Sequence, residues 1–176
     1  ARAAAKKYRC AAAGSLEEFA SLIDAASVAT PTIYHHETGM FLMRLGKHLL
    51  IEKPIAENSA RAHELAGMAG EKGCILQVGH VERFNPALHA LEDKLKNPRF
   101  LEVTRLSPYP ERSTDIGVVL DLMIHDLEII LHLVRSPVAS IDPVGIAVLS
   151  RGEDIANVRI RFENQCVANV TSSRIS

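Results

Sequence analysis

Residues 118–134 form an apolar run interrupted by Asp121, His125, Glu128 and His132, at i, i+4, i+7 and i+11. On an α-helix that spacing places all four on one stripe. Nearly every other position in the run is apolar, so most of the helix is expected to be buried, and a polar stripe on it needs partners or a cavity. Three readings are open. The stripe is a solvated face. It ligates a metal through carboxylate and imidazole at helical spacing, although no second run offers a matching ligand set. Or Asp121 holds His125, one turn away, as a neutral imidazole that accepts a proton near neutral pH. Oxidation of an alcohol needs such a base while a hydride leaves to a cofactor.

A second group follows Leu49, Leu50 and Ile51, an apolar run that stops abruptly at Glu52, Lys53 and Pro54. A parallel strand buried on both faces reads as a continuous apolar run, and open α/β sheets bind ligands just beyond the carboxyl ends of such strands. Glu52 and Lys53 are then expected at the rim of a crevice, with Pro54 fixing the turn. The plainer reading is a strand end followed by a solvated charge pair. Weaker singly are Thr30, Pro31 and His35, which sit where a strand passes into a helix whose N-terminus suits phosphate or ribose groups. His80 follows the next strand end. Arg83 suits a phosphate, a carboxylate or an ordinary salt bridge. Gly67, Gly70 and Gly73 lie at a helix end and do not make the dinucleotide-binding turn.

The elements that must position these residues alternate. Helix is expected over 1–8, a short strand over 10–13, and a helix from the capping box at Ser15 to about 22. A strand over 25–29, a helix over 33–45 stopped by Gly46, and the strand into Glu52 come next. A helix capped by Asn58 or Ser59 runs to about 71 and ends at Gly73; a strand covers 74–78. Strand and helix alternating on short connections is the signature of a doubly wound parallel sheet. Beyond 79–84 the text changes: helix to about 95 from Phe84, Asn85 and Pro86, strand over 100–106, a loop over 107–114, the long helix, then strands over 141–149, 155–162 and 165–172. The last two read as an antiparallel hairpin. The fold class is therefore α/β: a partial Rossmann domain over 1–80, then an α+β domain with a mostly antiparallel sheet over 81–176, both truncated.

The totals exclude several classes. With 20 Lys and Arg against 21 Asp and Glu, net charge -1, there is no electrostatic footprint for nucleic acid or an anionic membrane. No apolar run approaches the ~18 residues of a membrane span. Cys10, Cys74 and Cys166 are far apart, which argues against a disulfide framework and a zinc ribbon and fits a reducing cytoplasm. The start at Ala1, without Met, reads as the middle of a helix, as expected of a fragment.

Four pieces in order then carry a resemblance: Ala29-Thr30-Pro31-Thr32 with His35; Gly46-Lys47-His48 running into Glu52-Lys53-Pro54; Val78-Gly79-His80 with Arg83; and Asp121 followed by His125. Together they resemble the Gfo/Idh/MocA family of nicotinamide-dependent sugar and polyol dehydrogenases, over essentially the whole chain. The resemblance implies a Rossmann domain for NAD or NADP, NAD favoured, and a second domain that covers the active site and makes a homodimer or homotetramer contact. It implies Lys53, His125 and Asp121 as catalytic residues. Thr30, Pro31 and His35 would line the cofactor path, Glu52 and His80 the nicotinamide side, with Lys53 and Pro54 beside them. Arg83, Phe84 and Asn85 would contact substrate with Lys53, Asp121 and His125. The first strand, the glycine-rich turn and the acidic ribose-binding residue of the family are missing, and Val118, Val119 and Met123 stand where many members have glycines. The form Val-Gly-His-Val-Glu-Arg-Phe-Asn-Pro with Asp-Leu-Met-Ile-His-Asp looks most like the UDP-sugar branch, implying oxidation at C3 of a UDP-N-acetylhexosamine for lipopolysaccharide or surface-polysaccharide synthesis. The alternatives are an inositol or a free aldose as substrate, a non-catalytic sugar-nucleotide-binding module, and a metalloprotein. Neither a nucleic-acid nor a membrane partner is expected.

Overall fold

A computed structural model describes residues 1–92, 94–109 and 116–176. The chain divides into two compact units, Ala1–Gly79 and His80–Ser176.

In the first unit α1 (Arg2–Tyr8) buries none of its residues, and α2 (Leu16–Ser21) begins where the Ser15 side chain accepts the Glu18 amide. Residues 10–13 form no strand; four small residues there offer no side chains to hold an edge. β1 (Ala25–Val28), β2 (His48–Ile51) and β3 (Leu76–Val78) make a parallel sheet in that order. α3 (His35–Arg44) follows a 3-10 turn over Thr32–Tyr34 rather than starting at Ile33. α4 (Ser59–Lys72) is capped by Asn58, whose side-chain oxygen accepts the Arg61 amide, and ends at Gly73 with φ +64°. α3 and α4 bury Leu42, Met43 and Leu65 against Leu49 and Ile51. Each such side chain contributes about 1.5–3 kcal/mol by leaving water. β2 therefore alternates between half-buried and buried positions. Its other face, with Ser27, Leu50 and Gln77, lines an open groove.

In the second unit a 3-10 turn (Val81–Phe84) leads to α5 (Pro86–Glu92). The expected end of that helix near 95 crosses residue 93, and the expected loop 107–114 runs into residues 110–115; both lie partly outside the described residues. β4 (Phe100–Leu106), β5 (Val138–Ile146), β6 (Ile155–Phe162) and β7 (Val167–Ser173) form one sheet in the order β4-β7-β6-β5. β6 pairs antiparallel with β5 and β7, and β4 runs parallel to β7. α6 (Ile124–Val134) lies on this sheet and buries Ile130 and Val134 among Val158, Ile160, Phe162 and Val170. β6 shows the pattern of a sheet with one covered face: Ala156, Val158, Ile160 and Phe162 are buried, while Asn157, Arg159 and Arg161 are exposed. β5 is an edge strand exposed at every position. It begins three residues earlier than its apolar run, at Val138, because pairing with Phe162 extends the ladder through a bulge.

Candidate functional site

The carboxyl ends of β1, β2 and β3 bring together Thr30, Glu52, Lys53, Pro54 and Gly79. The β2–β3 register sets Ile51 beside Val78, and the Gly79 amide donates to the Ile51 carbonyl at 2.8 Å. Gly79 then lies against Glu52: a Cβ there would stand 2.8 Å from Glu52 Oε2 and 3.2 Å from its Cα. Glycine is needed because the Glu52 backbone, not only a flexible carboxylate, occupies that space. Glu52 and Lys53 are half-buried and Pro54 is buried behind a cis Lys53–Pro54 peptide bond. Thr30 and Pro31 are exposed. His35 is expected along the cofactor path; its ring is instead 1% exposed, and both nitrogens reach main-chain carbonyls, those of Pro54 and Thr30. Its ring therefore lies between the two turns.

In the second unit the long helix is not uniform. Val119–Met123 forms a π-turn before α6 continues. Such wide turns are rare and often lie at functional sites. Asp121 is therefore out of α-helical phase with His125, Glu128 and His132, which keep i, i+3, i+7 spacing on one face. The stripe is not simply solvated. Glu128 is ion-paired with Arg83 of the 3-10 turn, and His132 Nε2 lies 2.6 Å from Glu92 Oε1 at the end of α5. That hydrogen bond holds the Glu92 carboxyl below its usual range. Arg83 is thus engaged by a carboxylate of its own unit. Phe84 and Asn85 are exposed, and the Asn85 side-chain oxygen accepts the Ala87 amide. Asp121, His125 and His80 are half-buried. No group of three or more His, Cys, Asp or Glu among the described residues could hold a metal ion.

Charges not singled out in the sequence support this helix. Arg105 on β4 binds Asp126 through two bonds of 2.8 and 2.7 Å, with Asp126 4% exposed. Glu153 caps the helix start: its carbonyl accepts the Val118 amide at 2.8 Å and its carboxylate the Val119 amide at 3.2 Å. That carboxylate lies where a Cβ on Gly117 would be. Asp154 is fully buried and gathers the amides of Val148, Leu149 and Ser150, the Ser150 hydroxyl and Arg174 Nε. Burial alone pushes its carboxyl up; the hydrogen bonds from Ser150, Val148 and Leu149 outweigh that and hold it far below the ordinary carboxylate range. Arg174 also donates to the Ile116 carbonyl at 2.8 Å, just before the helix. For Arg105 and Asp126 the sequence signal was a charge within a largely apolar strand or helix; Asp154 and Arg174 stand among polar residues and gave none.

A parallel sheet with charged groups at its carboxyl edge and a helix-covered mixed sheet define an α/β protein of dinucleotide-binding type, and the comparisons with known proteins agree. Residues 1–80 match the model of the oxidoreductase family with NAD-binding Rossmann fold, Gfo/Idh/MocA. The chain is 38% identical over 172 residues to the UDP-N-acetylglucosamine 3-dehydrogenase of Acidithiobacillus ferrooxidans, covering 97% of this chain and 55% of that protein. The solved structure of that enzyme superposes with a TM-score of 0.92 at 38% identity, over 98% of this chain and 57% of the other. The NAD(+)-dependent scyllo-inositol 2-dehydrogenase of Bacillus subtilis is 26% identical over 170 residues, 88% of this chain and 49% of the relative. The chain spans about half the length of the curated relatives it matches.

Proposed function

We propose that this chain is part of an NAD(P)-dependent sugar dehydrogenase that oxidises a secondary alcohol, with C3 of a UDP-N-acetylhexosamine as the favoured position. What carries the reading is 38% identity across 97% of the chain to an enzyme named for that reaction, together with Lys53 at the carboxyl end of a central parallel strand. NAD is favoured over NADP. When bound, the nicotinamide accepts the hydride from the carbinol carbon. Glu52 and Gly79, in close approach, suit the nicotinamide side, with Thr30, Pro31, Pro54 and His80 as its further contacts. No glycine-rich turn between strand and helix occurs in these 176 residues, so pyrophosphate is not assigned to any of them.

In this reading His125 takes the hydroxyl proton and Lys53 stabilises the oxygen as negative charge develops. The carbinol C–H pair leaves as hydride, and the C–O bond becomes a carbonyl. Asp121 orients His125 or contacts the sugar. Phe84 and Asn85 contribute to the substrate surface, and Arg83 acts from its pairing with Glu128. The proposal includes a cytoplasmic homodimer or homotetramer joined through the second unit; Ile141, Val144 and Ile146 are exposed along its edge strand. Light scattering of the purified protein reads the oligomer directly.

The kinetic test uses the full-length polypeptide. UDP-N-acetylglucosamine, but not the free sugar, should generate NADH. His125→Ala and Lys53→Ala should each lower turnover by about 10²–10⁴-fold. Near-parental turnover in both variants sinks the assignment. Reduction of cofactor by an inositol instead favours the second reading, which rests on the inositol dehydrogenase relative.

A further inference from the structure

The ladder between β1 and β2 ends at Val28 and Ile51, and the Glu52 amide donates to the Val28 carbonyl at 2.9 Å. Beyond that point Pro31 and Pro54 have no N–H to give, so the two turns are short of main-chain donors. The His35 side chain stands between them. Its Nδ1 lies 2.9 Å from the Pro54 carbonyl oxygen and its Nε2 2.8 Å from the Thr30 carbonyl oxygen. A carbonyl oxygen only accepts, so the ring donates an N–H to one of the two, and the tautomer sets which nitrogen does so. A flat ring with nitrogens at two corners is a rigid spacer. A flexible amine or amide cannot hold two acceptors at a fixed separation in the same way.

We propose that His35 is a positioning residue: wedged between the two turn carbonyls, it ties the turn after β1 to the turn after β2 and so fixes where Lys53 stands. This rests on the reading of Lys53 given above. An ordinary core histidine would stabilise the unit without acting through Lys53, and the two roles separate experimentally.

The first measurement is the ring nitrogen spectrum of the 15N-histidine-labelled chain near neutral pH. One histidine, assigned through proton contacts to both turns, should show a slowly exchanging ring N–H group. A His35 ring whose N–H exchanges as fast as that of an exposed histidine overturns the clamp, and this arm needs no variant to fold. The second is steady-state kinetics of His35→Gln in the full-length polypeptide. Turnover should fall by about 10²-fold, as for small misplacements of reacting groups, with KM for the sugar changed by less than about twofold. His35→Gln combined with Lys53→Ala should be no slower than Lys53→Ala alone, because residues acting as a unit are not additive. Losses that multiply, or a His35→Gln variant with reduced melting temperature but intact turnover, overturn the positioning role. Parental turnover in Lys53→Ala overturns the reading of Lys53 and with it that role, while the ring spectrum separately decides whether the clamp exists.

Discussion

The two units hold their candidate groups by different means. In Ala1–Gly79 the charged residues stand in turns at strand ends, and what places them is main chain: the parallel ladder, the Gly79 approach to Glu52, and carbonyls gathered by His35. In His80–Ser176 they stand on a helix, and what places them is charge: Arg83 with Glu128, His132 with Glu92, Arg105 with Asp126, Arg174 with Asp154. Backbone placement depends on shape and tolerates little added volume. Charge placement tolerates volume but fails when one partner is removed, because a buried ion left alone is costly.

Removing a charge in the second unit should therefore do the most damage. Arg174→Met leaves Asp154 buried without its cation and should give the largest fall in urea midpoint of any single change considered, with loss of the order around Ile116. Arg105→Met should be milder, about 2–3 kcal/mol, since Arg105 keeps a third of its side chain in water. Acid unfolding sharpens the contrast. A carboxyl held below its ordinary range stabilises the fold above that range, and this contribution is lost as pH falls below it. Asp154→Asn should accordingly flatten the acid limb of the urea midpoint against pH, and an unchanged slope would contradict the charge-held picture.

Added volume should hurt where backbone does the placing. Gly79→Ala drives a methyl into Glu52 and should cost about 1–3 kcal/mol, read by thermal unfolding. Gly117→Ala tests the same point inside the second unit. There the obstacle is the Glu153 carboxylate, a flexible group, so the cost should be smaller and should fall when Glu153 is also shortened to Ala. The smallest effect is local: Asn58→Ala removes the cap of α4 and should cost about 1 kcal/mol.

Legibility followed the same division. The Ser15 and Asn58 caps, the stop at Gly73 and the alternation in β6 all depend on residues within about four positions of one another, and each element stands where those signals put it. Lys53 at a strand end was readable for the same reason. The misses were non-local or subtle. Small residues at 10–13 formed no strand, β5 reached back to Val138 because its partner strand extends that far, and a π-turn broke the regular phase that the Asp121 stripe assumed. His35 was placed along the cofactor path by the resemblance and by its position where a strand passes into a helix; that its own ring turns inward depends on where the second turn lies.

By itself the sequence determined the class of fold, the order of the elements and the residue types at the strand ends, since periodicity, caps and breakers act over a few residues. Only the tertiary structure decided which carbonyls His35 reaches, which carboxylate crowds Gly79 and Gly117, and which arginine meets Asp126 and Asp154. Those choices join residues up to 58 positions apart, as Arg174 and Ile116 show. They are made by sheet register and helix packing, which no local pattern encodes.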